Sequence, residues 1–303
     1  MKKLNEWYIK APWGKIALAS WGNLQGDPVL LVHGRQDSLD TFIPLLKFLP
    51  EKFHYVGLDL PGHGKSDAFP TGVALTRLVP VSAIDIVIKH LKWKKFVYIG
   101  HSMGAELGLF YNILNLNKIS KLILLDVRPG LQRLQISDLP YYFKTFYNEY
   151  YSHYSKYNID DRTYSKERAL EAVMKARGMT KAQAEVILER NLKEVGEDTY
   201  KLSWDKRQKI IAPSNFPQEY YMEIFSKNTP PSLFINATES SEQFYSKGKD
   251  AANNILAHLK KKVKYVSMVD VHGGHDVHFT NPERIEKYVV DFLNKDFGWK
   301  SKL

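Results

Sequence analysis

The sequence of 303 residues contains no cysteine. That absence excludes thiolate nucleophiles, disulfide scaffolds and cysteine-ligated zinc sites. The fold must therefore be stabilised by an apolar core, and a chain of this length can bury one of sufficient size. Hydrophobic residues make up 44% of the chain and charged residues 25%, which is typical of a globular protein. We expect one large domain, or a core that carries a substantial insertion.

Long apolar segments are also missing. Lys2 and Lys3 lead into polar residues, so we expect no secretory signal. No apolar run approaches the roughly 18 residues that a membrane-spanning helix requires. The last three residues, Ser301-Lys302-Leu303, do match a signal: the tripeptide that the peroxisomal import receptor binds. We expect a peroxisomal protein with that receptor as a partner, and the cytoplasm as the alternative location.

The charge is unbalanced towards the basic side, with a net charge of +10 and a pI of about 9.3. Such an excess can indicate nucleic acid, an anionic membrane or an acidic small molecule as partner. The lysines, however, are spread over the whole chain, and no nucleic-acid-binding module accompanies them. We interpret the charge as a solvated basic surface and expect no nucleic-acid partner.

Short apolar runs alternate with helix-length segments, which predicts an α/β fold with a mostly parallel sheet. The predicted buried strands are Pro28–Val32, His54–Leu58, Phe96–Ile99, Leu122–Leu125, Leu233–Asn236 and Val263–Val269. Two further strands, Trp7–Ala11 and Lys15–Trp21, predict an antiparallel hairpin at one edge. The segment Pro80–Leu91 has the apolar spacing of a flanking helix. Together these elements predict eight strands flanked by helices.

The strand pattern stops after Asp126. Residues 128–228 contain no strand candidate, and aromatic residues crowd the stretch 141–157. Two helices are predicted there, Lys166–Arg177 and Lys181–Val195. We interpret residues 128–228 as an inserted helical cap, and residues 1–127 and 229–303 as the core. Most of the aromatic side chains should pack inside the cap, and some should line the pocket that it closes.

The strongest chemical motif is Gly100-His101-Ser102-Met103-Gly104. It follows a predicted strand and opens a helix-like run, which is the setting of a nucleophile elbow. In such a turn the serine adopts a strained backbone conformation that exposes its hydroxyl above the sheet. The small flanking residues avoid collisions with neighbouring backbone. We predict Ser102 as the nucleophile and the N–H of Met103 as an oxyanion donor.

A serine hydroxyl requires a base, and the candidate is His275. It follows the last predicted strand, as the chain order serine, acid, histidine requires. His272, His275 and His278 are spaced three residues apart, so a metal site is the alternative. The glycines of this loop and the lack of a nearby carboxylate cluster argue against a metal. We predict no metal and no cofactor, with His272 and His278 as structural or pocket-wall residues.

A second oxyanion donor is expected from the loop after strand Pro28–Val32. This loop reads His33-Gly34-Arg35-Gln36-Asp37, and the N–H of Arg35 is the natural candidate. A second turn-rich loop, 59–67, has the sequence Asp-Leu-Pro-Gly-His-Gly-Lys-Ser-Asp. Considered alone it is a structural loop.

These two loops, the elbow and the segment from His275 to Pro282 together resemble the α/β-hydrolase superfamily. Within it the chain is most similar to the serine hydrolase-like proteins, over nearly its full length. The resemblance implies an α/β-hydrolase fold, a cap over the active site, and hydrolysis of an ester or related acyl bond. A carboxylate would stand at position 102 in an epoxide hydrolase or dehalogenase, so Ser102 disfavours both.

The chain departs from this family at two places. Many relatives have an aromatic residue where this chain has Arg35, whose cation either binds an anionic group of the substrate or faces solvent. The family's acid is expected near position 240, where the sequence has Glu239-Ser240-Ser241 and no aspartate. The candidates for the acid are Asp126, which we favour, and Glu239.

The function predicted from these residues is a serine hydrolase that acts on a small, lipid-like or acyl ester or thioester through an acyl-enzyme on Ser102. The cap should exclude water and shape an apolar pocket. The alternative is a ligand-binding protein that keeps the fold and lacks efficient catalysis, because the acid is displaced.

Overall fold

The computed structural model of the protein describes residues 1–134, 138–159, 162–240 and 249–299. In this part of the chain, eight strands form one sheet in the order β1-β2-β4-β3-β5-β6-β9-β10. The strands are β1 (Lys3–Ala11), β2 (Gly14–Gly22), β3 (Pro28–Val32), β4 (His54–Leu58), β5 (Phe96–His101), β6 (Ile119–Leu125), β7 (Leu192–Gly196), β8 (Thr199–Leu202), β9 (Ser232–Ala237) and β10 (Val266–Val271). Strand β2 pairs antiparallel with β1 and β4, and every pair from β4 to β10 is parallel. The predicted fold class is confirmed.

Helices connect the strands. The α-helices are α1 (Ile43–Leu46), α2 (Val81–Leu91), α3 (Met103–Leu114), α4 (Arg128–Leu131), α5 (Leu139–Tyr142), α6 (Glu149–Ser152), α7 (Tyr154–Asn158), α8 (Lys166–Arg177), α9 (Lys181–Asn191), α10 (Gln218–Ser226), α11 (Lys249–Lys262), α12 (Val277–Thr280) and α13 (Glu286–Asn294). Short 3-10 turns cover Leu39–Phe42, Lys206–Ile210 and Pro282–Arg284, and a π-helical turn covers Phe143–Asn148. None of the described helices combines the length and apolarity that crossing a membrane would require.

The sheet has an apolar core on each face. Neighbouring residues of a strand point to opposite faces, so Leu30 and Tyr98 join one buried cluster while Leu31 and Ile99 join the other. Every residue of β5 is buried. Because both faces are covered, the central strands are continuous apolar runs, and this explains why they could be located from the sequence.

The edges of the elements were harder to predict. The bounds of β3 and β4 agree with the prediction. The last strand was predicted as Val263–Val269 but spans Val266–Val271, because helix α11 continues to Lys262. Its apolar run therefore begins in the connection before the strand.

Strands β6 and β9 are neighbours in the sheet, and the chain between them carries helices α4 to α10 and the strands β7 and β8. Two predictions about this inserted segment are wrong. Helix α9 ends at Asn191 rather than Val195, and β7 and β8 form an antiparallel hairpin where no strand was expected. The hairpin residues are mostly half-buried or exposed, so the alternation that marks a strand is absent from its sequence.

Candidate active site

The predicted nucleophile, Ser102, stands between the buried strand β5 and helix α3. Its backbone adopts φ 52° and ψ −116°, a left-handed conformation that a serine adopts only when its surroundings enforce it. A Cβ at position 100 would lie 2.6 Å from the carbonyl oxygen of Gly104. A Cβ at position 104 would collide with the carbonyl oxygens of Val32 and His33. The two glycines therefore allow strand, turn and helix to pack this tightly.

Three predicted residues meet at the carboxyl edge of the sheet. The Oγ of Ser102 lies 2.8 Å from Nε2 of His275, and Nδ1 of His275 lies 2.6 Å from Oδ2 of Asp126. Ser102 follows β5, Asp126 follows β6 and His275 follows β10. The carboxyl ends of parallel strands meet at one edge of such a sheet, so residues far apart in the chain come into contact there.

The structure separates the two candidate acids. Asp126 is buried, and its second oxygen, Oδ1, accepts a hydrogen bond of 3.2 Å from the N–H of Ala237. The side chain of Glu239 is half exposed, and its Oε1 lies 3.3 Å from Nδ1 of His272. Ser240, near the position where the family's acid was expected, has its Oγ 3.3 Å from Nδ1 of His275. Of the two carboxylates proposed from the sequence, Asp126 is the one that contacts the base.

The imidazole of His275 experiences opposing influences on its pKa. Burial alone would lower the pKa, but the hydrogen bond and the negative charge of Asp126 outweigh burial and raise the pKa above its ordinary value. Asp276 acts in the same direction, and Arg177 acts against it. A more basic imidazole is a stronger acceptor for the proton of the Ser102 hydroxyl.

Two further histidines pack beside His275. The ring of His101 lies 4.7 Å from that of His275 and 3.9 Å from that of His278. His101 Nε2 lies 3.0 Å from the carbonyl oxygen of His275, and His278 Nε2 lies 2.9 Å from Oγ1 of Thr41. Burial lowers the pKa of His101 to about 4 and that of His278 well below its ordinary value. Neutral rings therefore support the base.

The predicted alternative of a metal on His272, His275 and His278 can be compared with this geometry. His272 is exposed. The ligand atoms that do converge, within 4.8 Å of one another, belong to His101, Asp276 and His278. Both oxygens of Asp276 already accept hydrogen bonds from Arg177, so a cation there would lie beside a guanidinium.

The two predicted oxyanion donors lie beside Ser102. Met103 begins helix α3, and the first N–H groups of a helix have no partner within it. Arg35 follows Gly34, at which a Cβ would lie 3.1 Å from the Cβ of Ser102. Within the described ranges, neither N–H donates to a protein acceptor. Both are therefore available to a bound oxyanion.

The turn-rich loop 59–67 holds the Arg35 segment in place. His63 Nε2 accepts a 3.0 Å hydrogen bond from the N–H of Gln36, and His33 Nε2 accepts one of 2.9 Å from the N–H of Leu60. With Nε2 as acceptor, Nδ1 of His33 carries the proton and donates to the carbonyl oxygen of Gly34, 2.7 Å away. That bond directs the N–H of Arg35, on the other side of the same peptide plane, away from His33.

Burial keeps both of these histidines neutral. It lowers the pKa of His33 to about 4 and that of His63 to about 3. A protonated ring would lose the acceptor nitrogen that each bond requires. The loop that looked merely structural in the sequence thus fixes the backbone that carries Arg35.

Arg177, at the end of α8, joins the inserted segment to the core. Its Nη2 lies 2.9 Å from Oδ2 of Asp37 and 2.5 Å from Oδ1 of Asp276. Its Nε adds a 2.9 Å bond to Oδ2 of Asp276. Asp37 follows the Arg35 loop and Asp276 follows His275, so one guanidinium connects both sides of the site. The sequence did not predict this contact, because nothing in the spacing of the three residues relates them.

A cavity of about 750 Å³ opens above Ser102. Val173, Leu188 and Trp204 of the inserted segment line it together with core residues such as Arg35 and His275. The expected apolar pocket is only partly observed, because six cationic and four acidic side chains also line the cavity. No described aromatic residue of the stretch 141–157 reaches it, whereas Tyr164 and Trp204 do.

The tripeptide predicted to be a peroxisomal signal, Ser301-Lys302-Leu303, lies outside the described residues.

Comparison with known proteins shows the family to which the chain belongs. The family model described as "alpha/beta hydrolase fold" matches residues 27–282. The chain is 28% identical to the serine hydrolase-like protein of Danio rerio, over 95% of this chain and 88% of that one. It is also 28% identical to serine hydrolase-like protein 2 of Homo sapiens, over 96% of this chain and 94% of that one. An esterase of Escherichia coli, YbfF, is 23% identical over 88% of this chain and 93% of its own.

Solved structures share the fold at lower identity. A hypothetical protein of Pseudomonas aeruginosa superposes with a TM-score of 0.79 at 20% identity, covering 96% of this chain and 100% of that one. The thioesterase domain of the curacin biosynthetic pathway superposes with a TM-score of 0.74 at 18% identity, covering 96% and 100%. With its family model matched over most of its length, the chain belongs to the α/β-hydrolase fold family and is a hydrolase similar to the serine hydrolase-like proteins.

Proposed function

We propose that the protein is a serine hydrolase that cleaves a carboxylic ester or thioester through an acyl-enzyme on Ser102. One observation carries the proposal. Ser102 Oγ, His275 and Asp126 form a continuous chain of contacts of 2.8 and 2.6 Å. Nucleophile, base and orienting carboxylate in this order are the arrangement that activates a serine hydroxyl.

In the first half of the reaction, Ser102 Oγ attacks the substrate carbonyl as His275 Nε2 takes the hydroxyl proton. The carbonyl π electrons move onto oxygen, and the N–H groups of Met103 and Arg35 stabilise the resulting oxyanion. The tetrahedral intermediate collapses, the bond to the leaving alcohol or thiol breaks, and His275 returns the proton to that group. The Ser102 ester remains.

In the second half, His275 takes a proton from water as the water oxygen attacks the acyl carbonyl. Collapse of this second intermediate releases the carboxylic acid and returns the proton to Ser102. Throughout, Asp126 accepts the Nδ1 proton of His275 in a hydrogen bond, fixes the tautomer and stabilises the imidazolium that forms twice per cycle. Each oxyanion donor contributes about 10²–10³ in rate in related systems.

The inserted segment 128–228 acts as the cap in this proposal. Its apolar side chains, including Val173 and Leu188, face the cavity above Ser102 and would lower its water content. Such a lining suits the acyl part of a small, lipid-like substrate. A peroxisomal location would place acyl thioesters within reach, and this supports including thioesters among the substrates to be tested.

The test begins with a fluorophosphonate probe, which labels activated serines. We expect the wild-type protein to be labelled and Ser102→Ala to be unlabelled. A separate sample of wild-type protein that has not been exposed to the probe is then assayed with esters and thioesters of graded acyl length, including coenzyme A thioesters. An unlabelled, folded wild-type protein, or equal labelling of Ser102→Ala, would contradict the proposal and favour a ligand-binding protein.

A further inference from the structure

The Arg35 side chain differs from Arg77 and Arg177, two other arginines that line the active-site cavity. Arg77 is paired with the buried Glu106, their side chains 2.5 Å apart. Arg177 is held between Asp37 and Asp276. Arg35 has no carboxylate within 4.0 Å in the described part of the chain, and its guanidinium makes one hydrogen bond, of 3.3 Å, to the carbonyl oxygen of Gln208.

A half-buried cation without a counter-ion is unfavourable unless something compensates it. Burial, together with the positive charges of Arg133 and Arg77, lowers the pKa of Arg35 to about 10. The side chain remains charged at neutral pH and lies in a region of positive potential. The hydrogen bond to a neutral carbonyl uses only one of the five guanidinium N–H donors. The other donors have no acceptor among the described residues, so they can bind an anion in the cavity.

The position of Arg35 places that anion close to the reacting bond. The backbone of Gly34 lies against Ser102, and the N–H of Arg35 is one of the two oxyanion donors of the proposed mechanism. An anion on the guanidinium would therefore lie within one arginine side-chain length of the substrate carbonyl. A substrate that fills the cavity of about 750 Å³ can reach both groups at once.

We propose that the substrate carries a free carboxylate besides its ester or thioester bond, and that Arg35 binds this carboxylate and determines specificity for it. The inference rests on the proposed function of the site. A carboxylate is favoured over a phosphate because the single half-buried guanidinium of Arg35 matches one negative charge rather than two. Its planar donors can bind both oxygens of that carboxylate.

Two esters of equal acyl length provide the test: 4-nitrophenyl hexanoate and mono-4-nitrophenyl adipate, which differ in the terminal carboxylate. The measured quantity is the ratio of kcat/KM for the adipate to that for the hexanoate. We expect Arg35→Gln to lower this ratio by about 10- to 100-fold, as loss of a charged hydrogen bond predicts. Arg35→Lys should give an intermediate ratio, because it keeps the charge without the planar donors.

Arg284→Gln is the matched control. Arg284 also lines the cavity, but it is exposed and its Nη1 donates to the carbonyl oxygen of His272. We expect Arg284→Gln to have the same ratio of adipate to hexanoate kcat/KM values as the wild type. An unchanged ratio in Arg35→Gln and Arg35→Lys, or an equal fall in Arg284→Gln, would overturn the assignment.

A binding measurement separates this inference from the proposed function. Calorimetric titration of adipate and of inorganic phosphate into Ser102→Ala does not depend on turnover. We expect adipate to bind, and Arg35→Gln added to Ser102→Ala to weaken that binding at least tenfold. Absence of adipate binding, or tighter binding of phosphate, would overturn the carboxylate site. A wild-type protein that binds adipate and cleaves neither ester would contradict the proposed function alone.

Discussion

At the scale of single residues, the site depends on which carboxylate contacts His275. Asp126 directly follows β6 in a left-handed backbone conformation, with φ 46°, and its side chain contacts the imidazole. Glu239 lies on the exposed side of the neighbouring loop. The sequence alone could not separate them, because both follow a strand and both fit the chain order. Their distinction depends on a backbone angle and on burial.

Replacing Asp126 by asparagine should lower kcat by about 10³- to 10⁴-fold, because the imidazole loses its orienting acceptor. Asp126 also raises the pKa of His275, opposing burial and Arg177. Only the unprotonated ring is a base, so activity is lost as pH falls through this pKa. The acidic limb of the pH–kcat/KM profile of Asp126→Asn should move to lower pH. Glu239→Gln is the control; a larger loss in Glu239→Gln would reverse the assignment.

Ser240 offers a second test of the same contact. Its hydroxyl lies 3.3 Å from His275 Nδ1, so a carboxylate at this position could replace the one lost from Asp126. We expect the double variant Asp126→Asn/Ser240→Asp to have a kcat at least tenfold higher than that of Asp126→Asn alone. Ser240→Asn, which has the same shape and no charge, should restore little. Equal rescue by both residues would show that shape rather than charge is responsible.

At the scale of elements, parallel strands that end at one edge bring the distant residues together. Strand–turn–helix patterns could be predicted because β3 to β6 and β9 are continuous apolar runs between turn residues. The inserted segment was predicted less well. Its hairpin has few buried side chains. Its ion pairs with the core join Arg177 to Asp37, 140 residues away, and to Asp276, 99 residues away. Periodicity reports local structure and carries no information on such pairings.

Arg177→Met should strongly destabilise the protein. The substitution would leave Asp37 and Asp276 buried close together without a cation, and breaking a buried ion pair costs about 3–5 kcal/mol. We expect the free energy of unfolding, measured in urea, to fall by that order. Lys175→Met, on the same helix and exposed, is the control and should have little effect. A similar loss in both variants would indicate that helix α8 rather than the ion pair is responsible.

At the scale of the whole molecule, buried neutral histidines make stability depend on pH. The pKa of His278 lies well below its ordinary value in the folded protein, because burial opposes its charge. The unfolded chain therefore binds a proton that the folded chain does not. Stability is present above the unfolded pKa of about 6.5 and is lost as pH falls below it, at about 1.4 kcal/mol per pH unit.

The substitution His278→Asn removes one of the groups that bind a proton only in the unfolded chain. In urea unfolding between about pH 6.5 and 5, its free energy of unfolding should decline with pH less steeply than that of the wild type, by about 1.4 kcal/mol per pH unit. Exposed His90→Asn serves as the control. Parallel curves for His278→Asn and the wild type would contradict a neutral, buried His278.

Localisation also belongs to this scale. We propose that Ser301-Lys302-Leu303 directs the protein to the peroxisome by binding the import receptor. Deletion of Leu303 should leave a fluorescent fusion in the cytoplasm, while the fusion with the intact tripeptide enters peroxisomes. Substitution of Trp299, two residues before Ser301, should not alter import. Import of the deletion variant at the wild-type level would contradict the proposal.

The ion pairs of Arg177 restrict which foreign segments can replace the chain between β6 and β9. A core from which the segment between β6 and β9 had been removed would keep Asp37 and Asp276 at the mouth of the site and lose the cation between them. The two carboxylates would repel, and the loops that carry Arg35 and His275 would separate. Exchange of that segment with a relative's should therefore succeed only when the incoming chain supplies an arginine at the end of its corresponding helix.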